Sequence, residues 1–291
     1  MGSIQIKNIT KRYKDGKQPG KRALDNISFS FEYGKIYGLL GRNGAGKSTL
    51  INIIANRIFP DSGEVLIDGI PTRENMAVHE KIHCMSEQDL YNTSLKVKEH
   101  FMWMNRFYSC FDIEKAYAIA EKFNLNTNKK FKQLSKGYQS IFKLTVAIAL
   151  NVPYLIFDEP VLGLDANHRE LFYNILLNDY EENQRTIIFA THLIEEVANI
   201  IEDVVIIDKG KVLLQDSAEN LLETGYCVSG VTAEVDKFCA DKKVIGEDIL
   251  GGMKLAYILG EREELPQNSN LQITNMNLQK LFVKLTEKGG I

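Results

Sequence analysis

Ile4-Gln5-Ile6 and Ile27-Ser28-Phe29-Ser30-Phe31 alternate apolar with polar side chains, the period-two signal of strands with one buried face. Ile36-Tyr37-Gly38-Leu39-Leu40 is almost continuously apolar, as for a strand buried on both faces, and it runs into a glycine-rich turn. From about residue 94 to 150 the spacing turns helical, with Phe101, Met104, Phe107 and Tyr108 on one stretch and Phe123 and Leu125 closing the next. This predicts a helical insert over about residues 90–150. Strand signals return over 154–157, 186–190 and 204–207, separated by helical stretches such as 169–177, the rhythm of a parallel α/β sheet. Beyond about Asp216 the pattern changes again, with strand candidates over 243–249 and 254–259 and an amphipathic helix over 278–286. The chain therefore divides into residues 1–215 and a small α+β C-terminal appendage, 216–291.

Composition narrows the function classes. The 291 residues are 44% hydrophobic and 25% charged, which fits a folded globular chain and excludes disordered or collagenous classes. Thirty-five basic and 38 acidic residues leave a net charge of −3, so no electrostatic footprint for nucleic acid is present and none is expected as a partner. No apolar run approaches the roughly 20 residues that cross a bilayer, and nothing near the N-terminus reads as a signal peptide. Cys84, Cys110, Cys227 and Cys239 lack CxxC spacing; reduced thiols in the cytoplasm are expected.

Gly41-Arg42-Asn43-Gly44-Ala45-Gly46-Lys47-Ser48-Thr49 fits the phosphate-binding pattern G-x-x-x-x-G-K-[ST] between an apolar strand and a predicted helix. Glycines let backbone N–H groups approach phosphate oxygens, the helix N-terminus adds its positive end, and Lys47 supplies a point charge. Ser48 would offer its hydroxyl to Mg²⁺. Tyr154-Leu155-Ile156-Phe157-Asp158-Glu159-Pro160 delivers two carboxylates at the C-terminal end of a strand, where open α/β sheets bind ligands. Asp158 would hold the metal, and Glu159 would polarise an attacking water. His79 and His83 are four residues apart, yet His83 falls in a predicted strand and no third ligand is near, which argues against zinc. The rings of Phe101, Trp103, Phe107, Tyr108 and Phe111 are expected mostly in the core of the insert, with Trp103 turned toward a partner.

Over about residues 3–215 the sequence resembles the nucleotide-binding subunit of an ATP-binding cassette (ABC) transporter. Beside the P-loop and the Asp158-Glu159 strand, Leu134-Ser135-Lys136-Gly137-Tyr138 is similar to the family's LSGGQ signature, with Lys136 and Tyr138 in place of its first glycine and its glutamine. Gly163-Leu164-Asp165 resembles the D-loop, Thr191-His192 the switch histidine, and Tyr13 the aromatic that stacks on adenine. Ile82-His83-Cys84-Met85-Ser86-Glu87-Gln88 resembles the Q-loop; Gln88 is favoured as its metal-facing residue, and Glu87 stays open.

The resemblance implies a P-loop NTPase (RecA-like) core with an antiparallel β subdomain and a helical insert. It implies ATP and Mg²⁺ as ligands, the metal held by Ser48, Gln88 and Asp158. Nucleotide would be bound by Tyr13, residues 41–49 and, from a second subunit, Ser135, Gly137 and Asp165. Glu159 and His192 would carry hydrolysis. Two cassettes, identical or paralogous, would sandwich ATP and energise a separate transmembrane permease, so the chain would sit on the inner face of the cell membrane. The single cassette ending Met276-Asn277-Leu278-Gln279-Lys280-Leu281-Phe282 resembles the subfamily serving ABC-2-type exporters. The alternative is a soluble ABC ATPase acting on ribosomes or chromosomes, whose members carry paired cassettes or a long coiled coil between P-loop and signature.

Overall fold

The computed structural model describes residues 2–13, 20, 22–86, 91–263, 265 and 269–287. Two long alternating strands, β1 (Ser3–Arg12) and β2 (Arg22–Glu32), pair antiparallel, and β3 (Ile36–Leu40) follows with all five residues buried. The P-loop leads into α1 (Lys47–Ile54), and β4 (Ser62–Ile67) and β5 (Ile70–Pro71) complete a four-stranded antiparallel sheet of order β2-β1-β4-β5. A short α2 (Met76–His79) precedes β6 (Ile82–Met85). The insert contains α3 (Val97–Phe107), α4 (Ile113–Lys122) and α5 (Lys136–Ala149). Then come β7 (Tyr154–Asp158), α6 (Ala166–Asn183), β8 (Thr186–Thr191), α7 (Ile194–Val197), β9 (Asp203–Asp208) and β10 (Lys211–Ser217).

The main sheet has the order β10-β9-β3-β8-β7-β6, parallel except for the β10 edge. Its register pairs Leu40 with Thr191 and Asp158 with Ala190. The C-terminal ends of β3, β7 and β8 therefore lie side by side, and the loops leaving them share one edge. One face of this sheet packs with the antiparallel sheet and α1 around Ile4, Ile6, Leu39, Ile53 and Ile188. The opposite face packs against the insert around Phe101, Phe131, Phe142, Phe157 and Phe189.

After α8 (Ala218–Thr224), strand β11 (Gly225–Val231), helix α9 (Thr232–Cys239), strands β12 (Val244–Leu250), β13 (Met253–Leu259) and β14 (Gln272–Asn275) and helix α10 (Leu278–Glu287) form an antiparallel sheet of order β12-β13-β11-β14 with helices against it. Tyr226, Val228, Val235 and Ile258 make a small local core, while Leu281 and Leu285 of α10 join the larger cluster beneath the main sheet.

The aromatic stretch departs from expectation at Phe107 and Tyr108, while Trp103 is turned outward as expected. Phe101 is fully buried and Phe111 nearly so, but Trp103, Phe107 and Tyr108 are 50%, 65% and 48% exposed. The cause is helical geometry: Trp103 and Phe107, four residues apart, share the face of α3 opposite Phe101 and stack at 5.2 Å.

A buried ionic clamp ties the insert to the core. Arg185, immediately before β8, donates to Asp179 Oδ2 of α6 at 2.7 Å through Nε and to the carbonyls of Leu150 and Ile148 at 2.6 and 2.9 Å. Those carbonyls end α5, where helical partners run out. Asp179 also receives Lys115 of α4. Arg185 and Asp179 are 1% and 3% exposed. Asp179→Ala would leave a buried guanidinium without its carboxylate, and a loss of about 3–5 kcal/mol is expected in urea unfolding; an unchanged midpoint would show that the carbonyls alone satisfy Arg185.

Candidate nucleotide site

The loop after β3 folds as it does because three positions call for glycine, two by close backbone approach and two by a left-handed φ. A Cβ on Gly41 would lie 2.6 Å from the Ile207 carbonyl oxygen, and Gly46, at φ 119°, would place one 2.7 Å from the Ala23 carbonyl oxygen. Gly44 is also left-handed, at φ 79°. The loop lines a cavity of about 510 Å³ formed by Tyr13, Ala23, residues 42–49, Asp158 and Glu159. Lys47, at the first position of α1, is 6% exposed and donates to the Gly41 carbonyl at 2.5 Å. Burial lowers the pKa of its ammonium, while the Glu159 and Asp158 carboxylates act in the opposite direction. Tyr13, half-exposed at the mouth, has its hydroxyl 3.4 Å from Thr49 Oγ1.

Glu159 stands just past β7 with φ 51°, a left-handed conformation that costs a non-glycine residue about 1–2 kcal/mol and is typical of functional positions. Its Oε2 accepts from the Thr191 hydroxyl at 2.9 Å. Its Oε1 accepts from the His192 backbone N–H at 3.2 Å and lies 2.8 Å from His192 Nδ1. A carboxylate only accepts, so that last contact requires the proton on Nδ1. The Thr191 contact is the functional feature that sequence patterns missed; its only signal was the hydroxyl beside the candidate histidine.

The donor set suits Mg²⁺. Ser48 and Asp158 are hard oxygen donors on one cavity, and no group of three or more His, Cys, Asp or Glu side chains fit to cage a metal occurs among the described residues. Mg²⁺ commonly takes one or two protein oxygens and completes its shell with phosphates and water. Gln88 and Glu87 lie outside the described residues. His79 Nε2 is 3.1 Å from Asn56 Nδ2, and burial lowers His83 to about 4, its Nε2 having no hydrogen-bond partner among the described residues.

Ser135, Gly137 and Asp165 do not line this cavity. Ser135 caps α5, its Oγ accepting from the Tyr138 N–H at 3.3 Å, and Asp165 caps α6, accepting from the His168 N–H at 2.9 Å and holding His168 Nδ1 at 2.7 Å. The segments carrying Gly137 and Gly163 approach closely: a Cβ on Gly137 would sit 3.1 Å from the Gly163 carbonyl oxygen. A second cavity of about 280 Å³, lined by Ser86, Lys136, Lys143, Asp158, Glu159 and Gly163 among others, runs from the acidic pair to the start of α5.

Residues 24–162 match the family model described as ABC transporter. The SkfA peptide export ATP-binding protein SkfE of Bacillus subtilis is 31% identical over 221 residues, covering 74% of this chain and 89% of that protein. The chain belongs to the ABC transporter family. It is the ATP-binding component, an ATPase domain of P-loop α/β fold. The match to the ABC transporter ATP-binding protein YtrB of B. subtilis, 29% over 194 residues, takes in 67% of this chain and 65% of that protein's length. Among solved structures, the dimeric post-hydrolysis state of the ATP-binding cassette MJ0796 bound to ADP and Pi superposes with a TM-score of 0.66 at 26% identity, covering 74% of this chain and 98% of that one.

Proposed function

We propose that this cassette hydrolyses MgATP to drive a separate membrane permease, and that transport runs outward. One observation carries the hydrolytic part: Lys47, Asp158 and Glu159 converge on a single cavity, with the Glu159 carboxylate held by Thr191 and His192 at 2.9 and 2.8 Å. Lys47 would leave the Gly41 carbonyl for the β and γ phosphates, joined by backbone N–H groups of residues 43–49 at the positive end of α1. Tyr13 would stack on the adenine. Mg²⁺, held by Ser48, Asp158 and Gln88, would neutralise charge on the phosphate oxygens. Glu159 then accepts the proton of the attacking water, and His192, through Nε2, contacts the γ phosphate.

A single cassette leaves the γ phosphate open on one side. The second cassette, a copy of this chain or a paralogue, would close it with Ser135, Gly137 and Asp165; the dimeric form of MJ0796 supports the pairing of two cassettes. Lys136 and Tyr138 alter the surface around that contact but keep the serine cap and the close-packed glycine. Each role would then depend on a nucleotide-driven dimer.

The permease assignment rests on the exposed rings. No described helix is long and apolar enough to cross a membrane, and Trp103 and Phe107 form a stacked pair on the outside of α3, with Tyr108 beside them. Aromatic anchors of this kind are enriched at protein interfaces. Location at the cytoplasmic face of the membrane follows from that partner, and the outward direction is supported by SkfE, whose name states peptide export. Trp103→Ala with Phe107→Ala is expected to cut co-purification of the permease from membranes at least about tenfold while leaving ATP binding intact. Undiminished recovery would move the docking site elsewhere, and recovery with ribosomes would favour the soluble class.

A further inference from the structure

Thr191, the last residue of β8, is 1% exposed. Its hydroxyl holds one proton and two lone pairs. The Leu193 N–H, at 3.0 Å, takes a lone pair, and the ionised Glu159 Oε2, at 2.9 Å, can only accept, so the proton points to the carboxylate. The other oxygen, Oε1, is held by the backbone and ring of His192. The two grips differ in kind. The His192 side chain is 38% exposed, so packing encloses its ring on one side only. Thr191 belongs to a strand buried at every position, paired with β3 and β7 on either side, and it stays where it is. Its β-branched side chain has few rotamers open to it.

We propose that Thr191 is a positioning residue for the general base. Its hydroxyl anchors Oε2 on the rigid sheet, so that Oε1 is the oxygen presented to water once the His192 ring turns to the nucleotide. Thr191 does not line the nucleotide cavity, and it acts only through Glu159. The left-handed backbone of Glu159 fits this role: the side chain leaves the strand at an unusual angle, and the Glu159 N–H bonded to the Ala190 carbonyl at 2.9 Å fixes its root beside Thr191. A misplacement of the base by about 1 Å is enough to slow a reaction of this type about a hundredfold. The proposal rests on Glu159 being the base, and the test separates the two.

The full-length protein, in the assembly in which it hydrolyses ATP, would be compared as wild type, Thr191→Val, Thr191→Ser, Glu159→Gln and the Thr191→Val, Glu159→Gln double variant. Thr191→Val keeps the shape and the branch but has no proton to give. It should lower kcat about ten- to a hundredfold at unchanged KM and unchanged ATP affinity. Thr191→Ser should return kcat to within about threefold of wild type, a rescue that tracks the hydroxyl rather than packing. Adding Thr191→Val to Glu159→Gln should change turnover no further, because the base is already gone. A Thr191→Val kcat within twofold of wild type would overturn the proposal, as would equal losses in the Val and Ser variants. Full turnover in Glu159→Gln alone would instead sink the assignment of the base.

Discussion

Lys47→Ala lowers ATP affinity about a hundredfold, measured by titration of the purified cassette with labelled nucleotide. Lys47 is the cation at the first turn of α1, and its Nζ, 2.5 Å from the Gly41 carbonyl, is already held inside the loop that would wrap the phosphates. Burial destabilises its ammonium, and phosphate oxygens arriving beside it restore the solvation that burial removed. A charge-assisted hydrogen bond contributes about 1.5–3 kcal/mol, and at 1.4 kcal/mol per tenfold change a hundredfold loss is about 2.8 kcal/mol. Hydrolysis falls with binding. Unaltered affinity would mean that the glycine backbone and the helix end suffice, and the role given to Lys47 would be wrong.

Glu159→Gln has the opposite signature. Nucleotide still binds, because the P-loop contacts are untouched, but turnover drops about a hundred- to ten-thousandfold, the usual contribution of a general base. The amide keeps the shape of the carboxylate: its one oxygen can accept from the His192 N–H while its NH2 donates to the free lone pair of the Thr191 hydroxyl, so the pocket stays assembled. What is lost is the capacity to take a proton from water. ATP that binds is then not consumed, and the closed pair of cassettes accumulates. Glu159→Ala should stop turnover as well but loosen the pocket, since Thr191 and His192 lose their acceptor.

The nucleotide half of this site was legible in the sequence because its chemistry is local. Nine consecutive residues, 41–49, carry the loop, and an apolar strand ending in Asp158-Glu159 announces its own polarity. The parallel α/β sheet followed from the β-α alternation, whereas the order and register that set β3, β8 and β7 side by side came only with the fold. Elements with mixed patterns were not legible. β11 lies inside the appendage sheet, yet Gly225, Ser229 and Gly230 dilute its apolar signal, and β4 begins with Ser62-Gly63-Glu64. Arg185 was invisible for another reason: an arginine after Asn-Gln reads as a surface turn, and only the fold shows that the end of α5 and Asp179 enclose it. Phe107 faces outward together with Trp103 because helical spacing sets both opposite Phe101; the sequence singled out Trp103 but left Phe107 among the core rings. Thr191 was seen as a neighbour of His192 and not as a ligand of Glu159, since that contact crosses 32 residues.

The arrangement as a whole predicts a machine in which nucleotide holds two cassettes together and Glu159 lets them part. The decisive measurement is the nucleotide retained by the Glu159→Gln protein after gel filtration with MgATP, read together with the mass of the complex. Intact ATP carried in a complex of two cassettes, absent without nucleotide, is the result expected. Phosphate released at the wild-type rate, with no nucleotide-dependent change in mass, would contradict it.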